Sequence, residues 1–148
     1  RVLLLHLRPT ELENKTLQEG LQMILKELTD KSNIRIVYKD MVKKVPKRIE
    51  DNLFRIAQEF ISNTLKHAKA SQIEVYLYQN SQGIQLKMLD NGVGFDLNAS
   101  TDEMRYGLKN IQERVDEMAG TVQFLSAKGK GTSIDVRVPI LRGEDNVE

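Results

Sequence analysis

Twice along this chain, two runs of alternating apolar and polar residues stand either side of a turn too short to hold a helix. Ile73, Val75 and Leu77 alternate with Glu74, Tyr76 and Tyr78, and after Asn80-Ser81-Gln82-Gly83 the alternation resumes from Ile84 to Leu89. Thr121 to Ala127 and Thr132 to Val138 repeat the arrangement around Lys128-Gly129-Lys130-Gly131. Period-two alternation over such lengths reads as half-buried strand, and strands joined so tightly pair antiparallel. Two hairpins argue against a doubly wound, all-parallel sheet.

The other segments supply helices. Thr16 to Lys31 carries Leu17, Leu21, Ile24, Leu25 and Leu28 at helical spacing, with Thr16 as N-cap and Glu19 three residues on. Ile34 to Tyr38 reads as a strand. Pro46 opens a long helix through about His67, at a position where a missing N–H costs little. Gly107 to Met118 reads as a helix ended by Ala119-Gly120, and the polar Asp96 to Tyr106 as a mobile loop before it. The order helix, strand, helix, hairpin, helix, hairpin predicts a two-layer α/β sandwich: a mixed β-sheet with helices on one face.

Composition sets bounds on function. At 148 residues the chain is one domain with room for a core. The formal net charge of +1 gives no bulk attraction to nucleic acid. The basic run from Lys39 to Arg48 is flanked by Asp40, Glu50 and Asp51 and reads as a solvated connection. There is no cysteine, hence no disulfide, no Cys-ligated zinc and no thiol nucleophile. The sequence has no stretch resembling a membrane span or a signal peptide. It opens at Arg1 inside an apolar run, and the expectation is an excised fragment of a larger protein.

Polar chemistry gathers on the Pro46 helix and just after the first hairpin. Leu53, Ile56, Ala57, Phe60, Ile61 and Thr64 share the core face. Glu59, Asn63, Lys66 and His67 form a second stripe at i, i+4, i+7 and i+8. The Asn63 carbonyl is a hard oxygen ligand suited to Mg²⁺, which takes phosphate oxygens and water for its other positions. Glu59 can orient or deprotonate an attacking group, and Lys66 and His67 can offset phosphate charge. The plain alternative is a solvated helix flank, with His67 favoured by the helix dipole. Asp90, at a strand end, can accept a hydrogen bond from an exocyclic amine such as adenine N6. Gly92 and Gly94 let the backbone approach a flat base. Asp-Asn-Gly is also a turn signal by itself. Gly107-Leu108 opens the third helix on this reading, and its free N–H groups suit phosphate. Gly129-Lys130-Gly131-Thr132 is either a plain hairpin turn or a place of close approach to ligand. The set describes a nucleotide pocket, yet there is no GxxxxGK[ST] segment and no GxGxxG after a first strand.

Together these segments resemble the ATP-binding catalytic domain of bacterial sensor histidine kinases, within the superfamily of gyrase B, Hsp90 and MutL (the GHKL or Bergerat ATP-binding fold). Glu59-x-x-x-Asn63-x-x-Lys66-His67 resembles the N box, Asp90-x-Gly92-x-Gly94-Phe95 the first glycine box and Gly129-x-Gly131-Thr132 the last. Gly107-Leu108, with Asn110, Glu113 and Arg114, resembles the helix after the ATP lid. The short lid and Leu7-Arg8-Pro9 are similar to the subfamily partnered with NarL-type regulators. Val45 to His67 is similar to cell-envelope-stress kinases of the VraS/LiaS kind.

The resemblance implies ATP and Mg²⁺ as cofactors, with Mg²⁺ on Asn63 and adenine on Asp90. It implies phosphates near Lys66, His67 and the Gly107 end, and a role for Glu59 in phosphoryl transfer. The organisation it implies is residues 1–9 as the end of a dimerisation helix, 10–140 as the ATP-binding domain and 141–148 as a tail. The phosphoacceptor would lie on missing dimerisation helices, because His6 lacks an acidic neighbour after it and stands beside the Pro9 break. A NarL/LuxR-type response regulator, a homodimeric parent and a cytoplasmic place in a membrane-anchored kinase are further implications. The rivals are an anti-sigma serine kinase of the same superfamily and a non-catalytic, ATP-gated binding module.

Overall fold

The computed structural model describes residues 15–97 and 101–141. The expected helix end at residues 1–7, His6, the Pro9 break and the tail from residue 142 lie outside them. The described elements are α1 (Leu17–Lys31), β1 (Arg35–Met41), α2 (Lys47–Asn63), a π-helical turn (Thr64–Ala68), β2 (Gln72–Gln79), β3 (Gly83–Asp90), α3 (Asp102–Glu117), β4 (Thr121–Ser126) and β5 (Thr132–Pro139). The sheet order is β1-β2-β3-β5-β4. β1 runs parallel to β2, and the other pairings are antiparallel. The sheet is mixed, as the two hairpins predict.

One face of the sheet holds the core. Ile73, Val75 and Leu77 of β2, Leu86 and Met88 of β3, and Ile134 and Val136 of β5 are buried with the apolar stripes of all three helices. The opposite face carries Glu74, Tyr76, Gln85, Lys87 and Asp135, all only partly buried. The alternation thus puts all three helices on one side.

Local chemistry fixes the helix starts. Thr16 and Glu19 form the expected capping box, with reciprocal bonds of 3.1 and 2.8 Å. Glu50 of α2 reaches across to accept from Leu17 N at 2.7 Å, tying α1 to α2. Burial pushes the Glu50 carboxyl above its ordinary value. The Pro46 carbonyl accepts the first bonds of α2, from Ile49 and Glu50 N.

One expected boundary is wrong. α3 begins at Asp102, not at Gly107, so residues 102–106 are helix rather than loop. Thr101 is the N-cap and accepts from Met104 N at 3.2 Å, and Asp102 and Glu103 put negative charge in the first turn. Met104 is buried and extends the apolar spacing of Leu108, Ile111 and Val115 backwards by one turn. Gly107 is therefore inside the helix, and its N–H is not a free donor for phosphate.

Candidate nucleotide site

The site forms where the end of α2, the end of β3 and the start of α3 meet. A cavity of about 230 Å³ is lined by Asn63, Thr64, His67, Asp90, Gly94, Phe95, Met104, Leu108 and Thr132, with Phe60, Ile111 and Ile134 as apolar walls. A flat base needs such a surface: mostly apolar, with a few fixed polar groups.

Asp90 is its fixed polar group, 8 % exposed at the end of β3. Its Oδ1 accepts from Gly92 N at 2.9 Å and Thr132 N at 3.2 Å. Its Oδ2 accepts from the Thr64 hydroxyl at 2.9 Å. Three donors from three segments therefore hold one carboxylate.

The glycines bring those segments together. Gly94 has φ +65°, and a Cβ there would stand 2.0 Å from the Ala127 carbonyl oxygen. Gly131 has φ +73°, and a Cβ there would stand 2.2 Å from the Asp90 carbonyl oxygen. Ser126 joins the two glycine segments: its Oγ accepts from Phe95 N at 2.9 Å and donates to Gly131 O at 3.1 Å. Gly129 sits at the exposed tip of the β4–β5 turn, where its N–H donates to the Val93 carbonyl. The segment is a hairpin turn, and within it Gly131 packs against the backbone at the end of β3.

The polar stripe of α2 divides between two spaces. Asn63 and His67 line the cavity. Glu59 opens onto a neighbouring groove of about 540 Å³ between α2 and α3, beside Arg55, Ser62, Asn110 and Arg114. Gly107 lies where the two spaces meet. A Cβ on it would stand 2.6 Å from Glu59 Oε2 and 3.2 Å from Asn63 Nδ2. Its role is to let α3 approach these side chains, which replaces the helix-start role expected of it.

Lys66 and His67 face an internal anion. Glu103, in the first turn of α3, places Oε2 at 3.7 Å from Lys66 Nζ and Oε1 at 3.2 Å from His67 Nε2. The histidine approach is close in distance but not aligned as a hydrogen bond.

Of the expected site residues, Asn63, His67, Asp90, Gly94, Leu108 and Thr132 line the cavity. Glu59, Lys66, Gly92, Gly107, Gly129 and Gly131 are not among its lining residues. Sequence reasoning missed Thr64 and Ser126. Thr64 belongs to the buried face of the helix, and a hydroxyl in that stripe needs a partner, which is the available signal. Ser126 sits on a strand whose alternation shows nothing of its bonds.

A base-sized cavity with a triply held carboxylate at a strand end, beside a helix carrying Glu and Asn, defines a nucleotide-binding α/β domain of non-Walker type. The chain belongs to the histidine kinase-, DNA gyrase B- and HSP90-like ATPase family, whose sequence model matches residues 48–142. Membership implies ATP as the nucleotide. The chain is 42% identical over 146 residues to the sensor protein VraS of Staphylococcus haemolyticus, covering 99% of this chain and 42% of the relative. It is 43% identical over 144 residues to the sensor histidine kinase LiaS of Bacillus subtilis, covering 97% of this chain and 40% of the relative. The chain thus spans about two fifths of the length of these curated relatives. Among solved structures, the blue-light activated histidine kinase of Erythrobacter litoralis aligns with a TM-score of 0.70 at 16% identity, over 96% of this chain and 47% of that one. The Acinetobacter baumannii histidine kinase AdeS aligns with a TM-score of 0.65 at 16% identity, over 84% of this chain and 64% of that one. At such identities the likeness shows the fold.

Proposed function

We propose that this chain is the catalytic domain of a two-component sensor histidine kinase. It binds Mg·ATP and passes the γ-phosphoryl to a histidine on a dimerisation helix of the same protein, for relay to an aspartate of a NarL/LuxR-type response regulator. The P–O bond to ADP breaks and a P–N bond to the imidazole forms. The observation that carries the reading is the Asp90 carboxylate, held by Gly92, Thr132 and Thr64 beside a cavity that Asn63 also lines. On this reading residues 1–9 end the dimerisation helix, 10–140 are the domain and 141–148 a tail. The parent is a membrane-anchored homodimer with this domain in the cytoplasm. Among the described residues no helix is long and apolar enough to cross a membrane.

The donor set fits a magnesium ion carried by the nucleotide. Among the described residues no cluster of three or more His, Cys, Asp or Glu could hold a metal. Asn63 is a single oxygen ligand at the cavity wall, which suits Mg²⁺ bound mainly by phosphate and water. When bound, the ion neutralises charge on the phosphates. Glu59 accepts the N–H of the incoming imidazole from the groove side. Asn63→Ala should abolish transfer to a purified helical domain carrying the acceptor histidine, while melting shifts little, because Asn63 is only partly buried. Normal transfer by that variant would end the metal-ligand assignment. A partner serine labelled in place of the histidine would favour the anti-sigma kinase. Nucleotide binding with no transfer to either acceptor would favour the non-catalytic module.

On this reading phosphates near Lys66 and His67 compete with Glu103 for them. Both contacts involve a carboxylate that is 60 % exposed, so each is weak. Glu103→Gln should tighten ATP binding by about twofold to fivefold at low salt, with the gain fading as salt rises. Titration calorimetry at two ionic strengths reads this. Unchanged or weaker binding would show that Glu103 does not compete with phosphate.

A further inference from the structure

Asp90 offers about four acceptor positions on its two carboxylate oxygens. Gly92 N and Thr132 N use two of them on Oδ1, and the Thr64 hydroxyl uses one on Oδ2. One position is left, on the oxygen that Thr64 holds. We propose that Thr64 is a positioning residue for base recognition: it fixes Oδ2 so that the remaining acceptor meets the exocyclic amine of a 6-aminopurine. The inference rests on the adenine reading of Asp90 and adds what orients that carboxylate.

Three features of Thr64 carry it. The first is direction. A helical threonine commonly turns its hydroxyl back to the carbonyl four residues earlier, as Thr29 does to Leu25 O at 3.1 Å. Thr64 instead donates across the layers to Asp90, from the residue at which α2 passes into the π-helical turn. Such turns recur at functional sites.

The second is geometry. Both bonds to Oδ1 come from the backbone of the sheet layer, and the terminal torsion of an aspartate is soft. The bond from Thr64 arrives from the helix layer and holds the second oxygen, which stops rotation about Cβ–Cγ. Thr64 is 3 % exposed, so water has little access to replace the hydroxyl.

The third is polarity. The hydroxyl has one proton and gives it to Asp90, so Thr64 and Oδ2 together present only acceptors to the cavity that both residues line. Acceptors suit an amine at purine position 6 and oppose a 6-oxo group. A site built to bond a donor discriminates against an analogue lacking it.

The test compares ATP with purine riboside triphosphate, which carries hydrogen in place of the amine. The whole 148-residue chain is titrated in three forms: unmodified, Thr64→Val and Thr64→Ser. The unmodified chain should prefer ATP by about tenfold or more. Thr64→Val should reduce that preference to under about threefold by weakening ATP alone, and Thr64→Ser should restore it. Should Thr64→Val fail to fold, Thr64→Ala removes the same hydroxyl without adding a methyl to the site and is read in the same way. A hydroxyl-free variant that keeps the full preference, or loses both nucleotides alike, overturns the inference while leaving the adenine reading intact. No preference in the unmodified chain overturns the adenine reading of Asp90, and this inference with it.

Discussion

Asp90→Asn should fold like the unmodified chain and lose ATP affinity by about tenfold to a hundredfold. The amide keeps the shape of the carboxylate. Its oxygen can still accept from Gly92 N and Thr132 N, and its nitrogen can donate to the Thr64 oxygen, so the local network survives with one bond reversed. The position left open now presents a donor where the adenine amine also brings one. A hydrogen bond to a charged group contributes about 1.5–3 kcal/mol, which sets the expected loss. Asp90→Ala should lose at least as much affinity and also stability, because three donors inside the fold are left without an acceptor. Melting curves and titration calorimetry on both variants separate the two effects. An Asp90→Asn chain that folds and binds ATP with undiminished affinity would remove base recognition from this residue.

The same residue shows how the sequence announced the site. Asp90 closes an alternating run, and Gly92 and Gly94 come directly after it. Strand end, carboxylate and flexible backbone are all local features, so they could be read without the fold. The stripe of Glu59, Asn63, Lys66 and His67 was legible for the same reason, since one helix fixes their relative angles. What was not legible depends on contacts between layers. The start of α3 is hidden in the sequence because Met104, its first buried residue, stands among Asp102, Glu103, Arg105 and Tyr106, where one apolar residue makes no visible period. A start placed too late gives Gly107 a helix N-terminus, whereas it lies inside α3 where an added Cβ would meet Glu59 and Asn63. The hydroxyl of Thr64 and the carboxylate of Glu103 find partners 26 and 37 or 36 residues away along the chain, and no local pattern encodes that choice. The insertion of β5 between β3 and β4 is likewise a property of the assembled sheet.

Three glycines of positive φ make an internal series in which backbone strain and steric exclusion separate. Gly129 has φ +79° with nothing within 4 Å of a Cβ built on it. Gly129→Ala therefore meets only the intrinsic cost of a left-handed alanine, about 1–2 kcal/mol. Gly94→Ala and Gly131→Ala meet that cost together with a Cβ at 2.0 and 2.2 Å from backbone carbonyl oxygens. A backbone oxygen cannot swing aside as a side chain would, so the segments must part. Parting Gly131 from Asp90 breaks the approach that lets Thr132 N bond Oδ1, and parting Gly94 from Ala127 strains the Ser126 bridge to Phe95. Both variants should lose on the order of 4 kcal/mol or fail to fold, a size reserved for disruptions of this kind. Where Gly131→Ala still folds, ATP affinity should fall with stability, because the acceptor carboxylate and the glycine turn are one unit. Gly129→Ala should keep its affinity while melting somewhat earlier. Denaturant unfolding and nucleotide titration across the three variants give the comparison. If Gly131→Ala proves as mild as Gly129→Ala in both measurements, the close approach of the β4–β5 turn to the end of β3 does not hold the site together.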